Sequence, residues 1–365
     1  MPLIKIAITV KVYLLRLYVL LVWNILILYQ ILRRRRECWI HISDLRIIHE
    51  NNGFLVINKH PELLINCTSP WINCLTLQMQ LFYNRPQYAN WKLKNMFHFV
   101  HRLDCPTSGL ICIAYDTKAA SIIRRAFEKK EVKKYYLAIL WGHVGSPQCI
   151  DSPNTISPFV KRESKFVYHI QMSLGSLRYF WPDTGRKQKI IVPATHPECC
   201  RPRESSTTVI ILDYGNLMGE PATRVLLIPN TGRRHQLRVH CAVGLGHPIA
   251  GDITYARRPF DHIDVEYKHD VYRTHNIHLD CKLKRMMLHA YYMEMKLRMN
   301  DDSSDNKCRR KLSVEKNYQF QTGGNPFFDA NDSYLWIEEE NLLSQTTNYT
   351  LDEYIKNVNF LLSDQ

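Results

Sequence analysis

The stretch His101-Arg102-Leu103-Asp104-Cys105-Pro106-Thr107-Ser108-Gly109-Leu110 places a guanidinium two residues before a carboxylate and then enters a turn. Pro106 and Ser108-Gly109 are turn residues, and Leu110-Ile111-Cys112-Ile113-Ala114 is a continuous apolar run. A turn that feeds a buried strand holds its side chains rigidly at a surface. Side chains two apart on an extended backbone share a side, so Arg102 and Asp104 face one way and Leu103 the other. On spacing alone, this is a surface ion pair beside a strand.

The flanking sequence supplies the strands and helices around that turn. Ile47 to Glu50, Asn51-Asn52-Gly53 and Phe54 to Lys59 predict strand, turn and strand. Leu75 to Phe82 fits a short helix or a strand equally well. Lys118 to Lys130 predicts a basic helix with Ile122, Ile123, Ala126 and Phe127 on one face. Lys133 to Leu140 alternates as a strand, and Thr207 to Leu212 and Arg224 to Ile228 are two more. Thr231-Gly232-Arg233-Arg234 is a turn, and His235 to Gly244 predicts a helix closed by its glycine. Met286 to Met299 is a last strand. Mixed elements with several hairpin signals argue for an α+β fold around a largely antiparallel sheet.

Four segments follow from these patterns. Residues 1–36 form a hydrophobic N-terminal segment, and residues 40–299 form the main domain, with insertions at 145–207 and 256–284. The first insertion is rich in Pro, Ser and charge and reads as irregular. Residues 300–317 read as a polar linker. Residues 318–365 are a tail in which Pro326-Phe327-Phe328 offers a docking point. Leu351, Tyr354, Ile355, Val358 and Leu362 there make one face of a short acidic helix.

The formal net charge is +14, of which the acid-free first 36 residues carry +7. The body is therefore moderately basic, compatible with a polyanion partner without demanding one. Eleven cysteines at irregular spacing, with no Cys-x-x-Cys, suggest neither a disulfide framework nor a zinc site. Residues 17–32 lack formal charge and end at Arg33 to Arg36. They are short for a span of ~20 residues. A membrane anchor, an organelle leader and an over-extended start all remain open, so the expected location is cytoplasmic, with mitochondrial or membrane-anchored alternatives. His275, His278, Asp280 and Cys281 have metal-ligand spacing, but no distant pair completes four ligands. A polar loop without metal is the better reading.

Four separated stretches recur in one order: Phe54 to Lys59, His101 to Leu110, Val132 to Ala138, and Pro229 to His240 continuing through Gly246 to Asp252 and Tyr255. Together they resemble the RluA-type RNA pseudouridine synthases over roughly residues 45–297. The resemblance implies the α+β core of that family: a long, bent, mixed but mostly antiparallel sheet with flanking helices and a central RNA-binding cleft. It implies a monomer that isomerises uridine to pseudouridine in structured RNA, transfer or ribosomal, with no cofactor. Asp104 is then the essential carboxylate. Arg238 pairs with it and keeps it ionised. Tyr136 stacks on the flipped uracil and offers its phenol as acid or base. Arg102 enters the RNA stack where the base left. Lys59, Lys134, Arg233 and Arg234 are candidate phosphate contacts. Taken singly, the Asp104 and Arg238 assignments could be a structural ion pair and Tyr136 a core tyrosine. An RNA-binding or RNA-folding protein whose chemistry is dispensable is the competing function.

Overall fold

The computed structural model describes residues 2–32, 40–51, 53–66, 76–90, 97–145, 157–181, 186–256, 277–300, 313–323, 326–327 and 336–341. They form two compact units, residues 1–133 with 290–322 and residues 134–289 with 323–365. Elements are numbered along the chain.

In the first unit, α1 (Pro2–Leu32) precedes the hairpin of β1 (Ile47–Glu50) and β2 (Phe54–Lys59). Asn51 closes the hairpin, its side-chain oxygen accepting from the amides of Gly53 and Phe54. Then come α2 (Leu77–Asn84), β3 (His98–Phe99), β4 (Ser108–Ala114) and α3 (Thr117–Glu128). Of the two readings for Leu75 to Phe82, the helix holds from Leu77. The sheet order is β1-β2-β4, then β13 (Leu288–Asn300) and β14 (Ser313–Gln321), with β3 also on β4. Every residue of β4 is buried, which explains its unbroken apolar run. Asp116 caps α3 by accepting from Ala119 N, and Ala120, Ile123 and Ala126 point into the core. There they meet Phe54, Val56, Leu110, Cys112, Met293 and Met295. Residues 313–317, expected in a linker, instead pair with β13 as part of β14.

The inner face of α1 is fixed by Val19 and Trp23, which are buried, and Trp23 donates to Ile40 O at 2.9 Å. Its outer face leaves Val10, Tyr13, Leu14, Leu17 and Leu21 exposed. Among the described residues, no helix is long and apolar enough to cross a membrane.

In the second unit, β5 (Val132–Trp141) pairs with β12 (Glu220–Pro229), and β12 with β11 (Ser206–Leu217). One half of β11 pairs with β7 (Val167–Gln171), itself beside β6 (Val160–Arg162), and the other half with β15 (Trp336–Asn341). A second sheet has the order β10-β8-β9, from β8 (Leu174–Trp181), β9 (Arg186–Pro193) and β10 (Cys200–Arg203). The described part of the expected irregular insertion 145–207 is thus mostly strand. Its short, charged strands carry weak local signals, and long-range pairing decides them. α4 (Gln236–Val239) runs into a wider helical turn, His240–Gly244. α5 (Ile277–Lys282) follows. Phe327 docks as expected: it is buried under the Arg285 guanidinium, which lies 5.5 Å from its ring centre. The predicted C-terminal helix, Phe328, Arg33 to Arg36 and His275 lie outside the described residues.

Candidate active site

The turn that carries Asp104 is braced from beneath. Lys59 is 1 % exposed, and its ammonium donates to the carbonyls of His60, Leu63 and Cys105 at 2.7, 2.9 and 3.1 Å. A buried ammonium must satisfy its three donors, and three carbonyls do so. This corrects the expectation that Lys59 contacts phosphate: it ends β2 and ties that strand to the residue after Asp104. Thr107 N donates to Asp104 O at 3.1 Å, closing the turn. His101 accepts from Cys112 N at 2.9 Å and lies against Phe127, with ring centres 4.9 Å apart.

Gly109 makes the next step possible. Its φ is 107°, and a Cβ there would fall 2.3 Å from Ala290 O, so β4 and β13 can pass this closely only at glycine. The turn above therefore has little freedom, while its side chains differ in exposure. Leu103 is buried, Asp104 half-buried and Arg102 exposed.

The second unit holds the other candidates. Tyr136 sits on β5 opposite Leu227 and is buried. Lys134, two residues earlier, is half-buried, and burial lowers its pKa. A Cβ on Gly232 would lie 3.8 Å from its ammonium, so Lys134 and the Thr231–Arg234 turn are neighbours. Arg233 and Arg234 are exposed on that turn. Arg233 Nε donates to Glu204 O at 3.1 Å, and Arg234 Nε reaches His235 Nε2 at 3.4 Å.

Arg238 is 4 % exposed and forms a bidentate pair with Asp252, both bonds being 2.7 Å. The Tyr255 ring lies beneath, its centre 4.9 Å from the guanidinium carbon. Such a fork fixes the guanidinium plane, and the flat ring below adds a cation–π contact. Asp252 is itself secured, accepting at Oδ1 from Thr254 N and Tyr255 N. The Tyr255 hydroxyl accepts from Ile191 N at 3.1 Å and shares a 2.7 Å hydrogen bond with His235 Nδ1.

The helix start is held by polar side chains buried against β11. Gln236 Oε1 accepts from the Thr231 hydroxyl and Arg233 N, and its Nε2 donates to Ser206 O and Thr207 Oγ1. His240 lies between Ser205 Oγ at 2.8 Å and Thr207 Oγ1 at 2.9 Å. Ser205 spends its own proton on Met172 O, so it accepts from His240, and Thr207 donates to the other ring nitrogen. That pattern needs a neutral imidazole, and burial agrees, pulling the His240 pKa down to about 4. Burial, then Arg238 and Arg234, pulls His235 down to about 3. His235 also sits at φ 52°, the left-handed region that a non-glycine residue occupies only when its surroundings demand it.

Asp252 was quoted in the sequence without a role, and His235 and Tyr255 likewise. The available signal was Arg238 itself: an arginine between Leu237 and Val239 on a buried face needs an acid. Asp280, in the possible metal spacing, is 1 % exposed and accepts from Trp141 Nε1 and Gly251 N, so it serves the fold. Among the described residues, no group of three His, Cys, Asp or Glu could hold a metal ion.

Residues 53–243 match the family model described as RNA pseudouridylate synthase. The chain is 35 % identical over 254 residues to mouse RNA pseudouridylate synthase domain-containing protein 1, covering 70 % of this chain and 69 % of that one. It is 34 % identical over 158 residues to the Escherichia coli dual-specificity RNA pseudouridine synthase RluA, covering 43 % and 56 %. The solved structure of human RNA pseudouridylate synthase domain containing 1 is similar, with a TM-score of 0.54 and 28 % identity. That match covers 87 % of this chain and 96 % of that one.

Proposed function

The chain belongs to the RNA pseudouridylate synthase family and is an RNA pseudouridine synthase; from that premise we propose that it acts on uridine in structured transfer or ribosomal RNA, with Asp104 as the reactive carboxylate. In the reaction the C1′–N1 bond breaks, the uracil turns, and a C1′–C5 bond forms. The C5 proton leaves and N1 gains one, so atoms and electrons balance without a co-reactant. A carboxylate serves the first step, by adding to C1′ or by taking a proton from the sugar. Tyr136 supplies a ring against the uracil and a phenol for the proton. Arg238 supplies the positive charge that keeps a carboxylate ionised away from water. The exposed Arg102 fills the gap left by the flipped base.

The observation that supports this reading most is the Arg238–Asp252 fork. Asp252 holds the guanidinium plane through Nε and Nη2, the fixed orientation that a group placed to act on a carboxylate requires. The exposed arginines at 233 and 234 suit phosphates beside it.

Tritium at uracil C5 is released when the base rejoins through C5. Purified protein incubated with tritiated transfer, ribosomal and messenger RNA should release it from the first or second class, and D104N protein should release none. Absence of release from every class would overturn the proposal. Release by D104N would overturn the role of Asp104.

A further inference from the structure

The β10-β8-β9 sheet lies outside the machinery described so far, and its two faces differ. Leu177, Ile190 and Val192 are buried on one face. The other carries Arg178 directly across from Lys189, both exposed, and two residues along β8 stands Phe180. Phe180 is 51 % exposed, a large aromatic on the middle strand of a sheet with cations on its own face. The neighbouring strand β10 adds exposed Arg201 and Arg203. Residues 174–204 contain six Lys or Arg against three acids. A solvated face has no use for an exposed phenyl ring, and an aromatic protein contact has little use for this many cations.

This sheet is also fixed to the arginine site of its own unit. β9 packs beside α4. Ile191 N donates to the hydroxyl of Tyr255, the ring beneath Arg238. At the end of β10, Glu204 O accepts from Arg233. Cations and ring are therefore carried on a rigid extension of the elements that hold Arg238.

We propose that the Arg178–Phe180–Lys189 face is a second RNA-binding surface, which takes unpaired nucleotides flanking the target uridine. Arg178 and Lys189 contact phosphates, and one base stacks on Phe180. The proposal rests on the substrate being RNA. Phosphate contacts with a stacked base give sequence-tolerant binding, and they extend the footprint beyond the reacting nucleotide.

The test is a fluorescence binding titration of a refolded transfer RNA pool over a salt series, with wild-type, R178Q/K189Q, F180A and F180W proteins. The double variant is expected to lower the slope of log affinity against log salt by about two. F180A should bind about tenfold more weakly with an unchanged slope, and F180W should restore the affinity. In turnover assays KM rises and kcat does not. Photocrosslinked wild-type protein should carry a nucleotide on the peptide of β8, a measurement that needs no variant to fold. A wild-type slope in R178Q/K189Q together with wild-type affinity in F180A, or no crosslink to β8, would overturn the proposal. Binding is read without turnover, so a protein that binds RNA but forms no pseudouridine fails the proposed function and still decides this surface.

Discussion

The Asp104 turn and the Arg238 helix start are both polar segments set into apolar surroundings, yet they are secured in opposite ways. The turn is held through its backbone. One buried ammonium, from Lys59, grips three carbonyls, and the Asp104 side chain stays half-exposed above them. The helix start is held through its side chains. Gln236, His240 and Thr207 interlock, and the buried Arg238 is forked to Asp252. The side chain proposed to meet the substrate is left accessible on a braced backbone. A group that must keep its orientation is locked into a fully satisfied polar network. Function and stability are therefore expected to separate at the first segment and to coincide at the second.

Replacing Arg238 probes that coincidence most strongly. R238A leaves Asp252 buried without its guanidinium, so both activity and stability should fall, the latter by about 3–5 kcal/mol in a denaturant titration. Near-native stability in R238A would break the comparison. Acid probes the neighbouring polar side chains of the same helix start. His240 has a folded pKa of about 4, below its ordinary value, so the unfolded chain takes up the proton first as pH falls. Its contribution is fully present above about pH 6.5 and is lost as pH drops toward 4, at ~1.4 kcal/mol per pH unit. Melting temperature followed over that window should decline, less steeply in H240Q. At the turn, K59M should cost about 2 kcal/mol through the carbonyls it strands. The salt dependence of RNA binding should be unchanged, because the Lys59 ammonium is buried against those three carbonyls. R102A is the mildest, within ~0.5 kcal/mol in stability. Its effect is confined to RNA affinity and turnover.

The parts of this architecture that were legible in sequence are those governed by local rules. The β1–β2 hairpin followed from Asn51 and Gly53, β4 from its apolar run, and α3 from its one-sided stripe behind Asp116. Strands β8 to β10 were not legible. Cys200-Arg201-Pro202-Arg203 has no strand character of its own, and pairing with β8 alone makes it one. The site divided along the same line. Asp104, Tyr136 and Arg238 came from motif order, whereas the Arg238–Asp252 fork joins residues 14 apart across a turn that no periodicity links. Lys59 was misjudged because a lysine at the end of an apolar strand usually reaches solvent. Only the fold brings three carbonyls to its tip.

The central claim, following the proposed function, is that losing the Asp104 carboxylate abolishes the chemistry and leaves the fold standing. It is tested most directly by single-turnover pseudouridine formation and thermal melting on one preparation of D104N. The account predicts no detectable pseudouridine and a melting temperature within about 2 °C of wild type, as fits a half-exposed group outside the packed core. Pseudouridine formed at the wild-type rate, or a collapse in melting temperature that alone explains the lost activity, would contradict it.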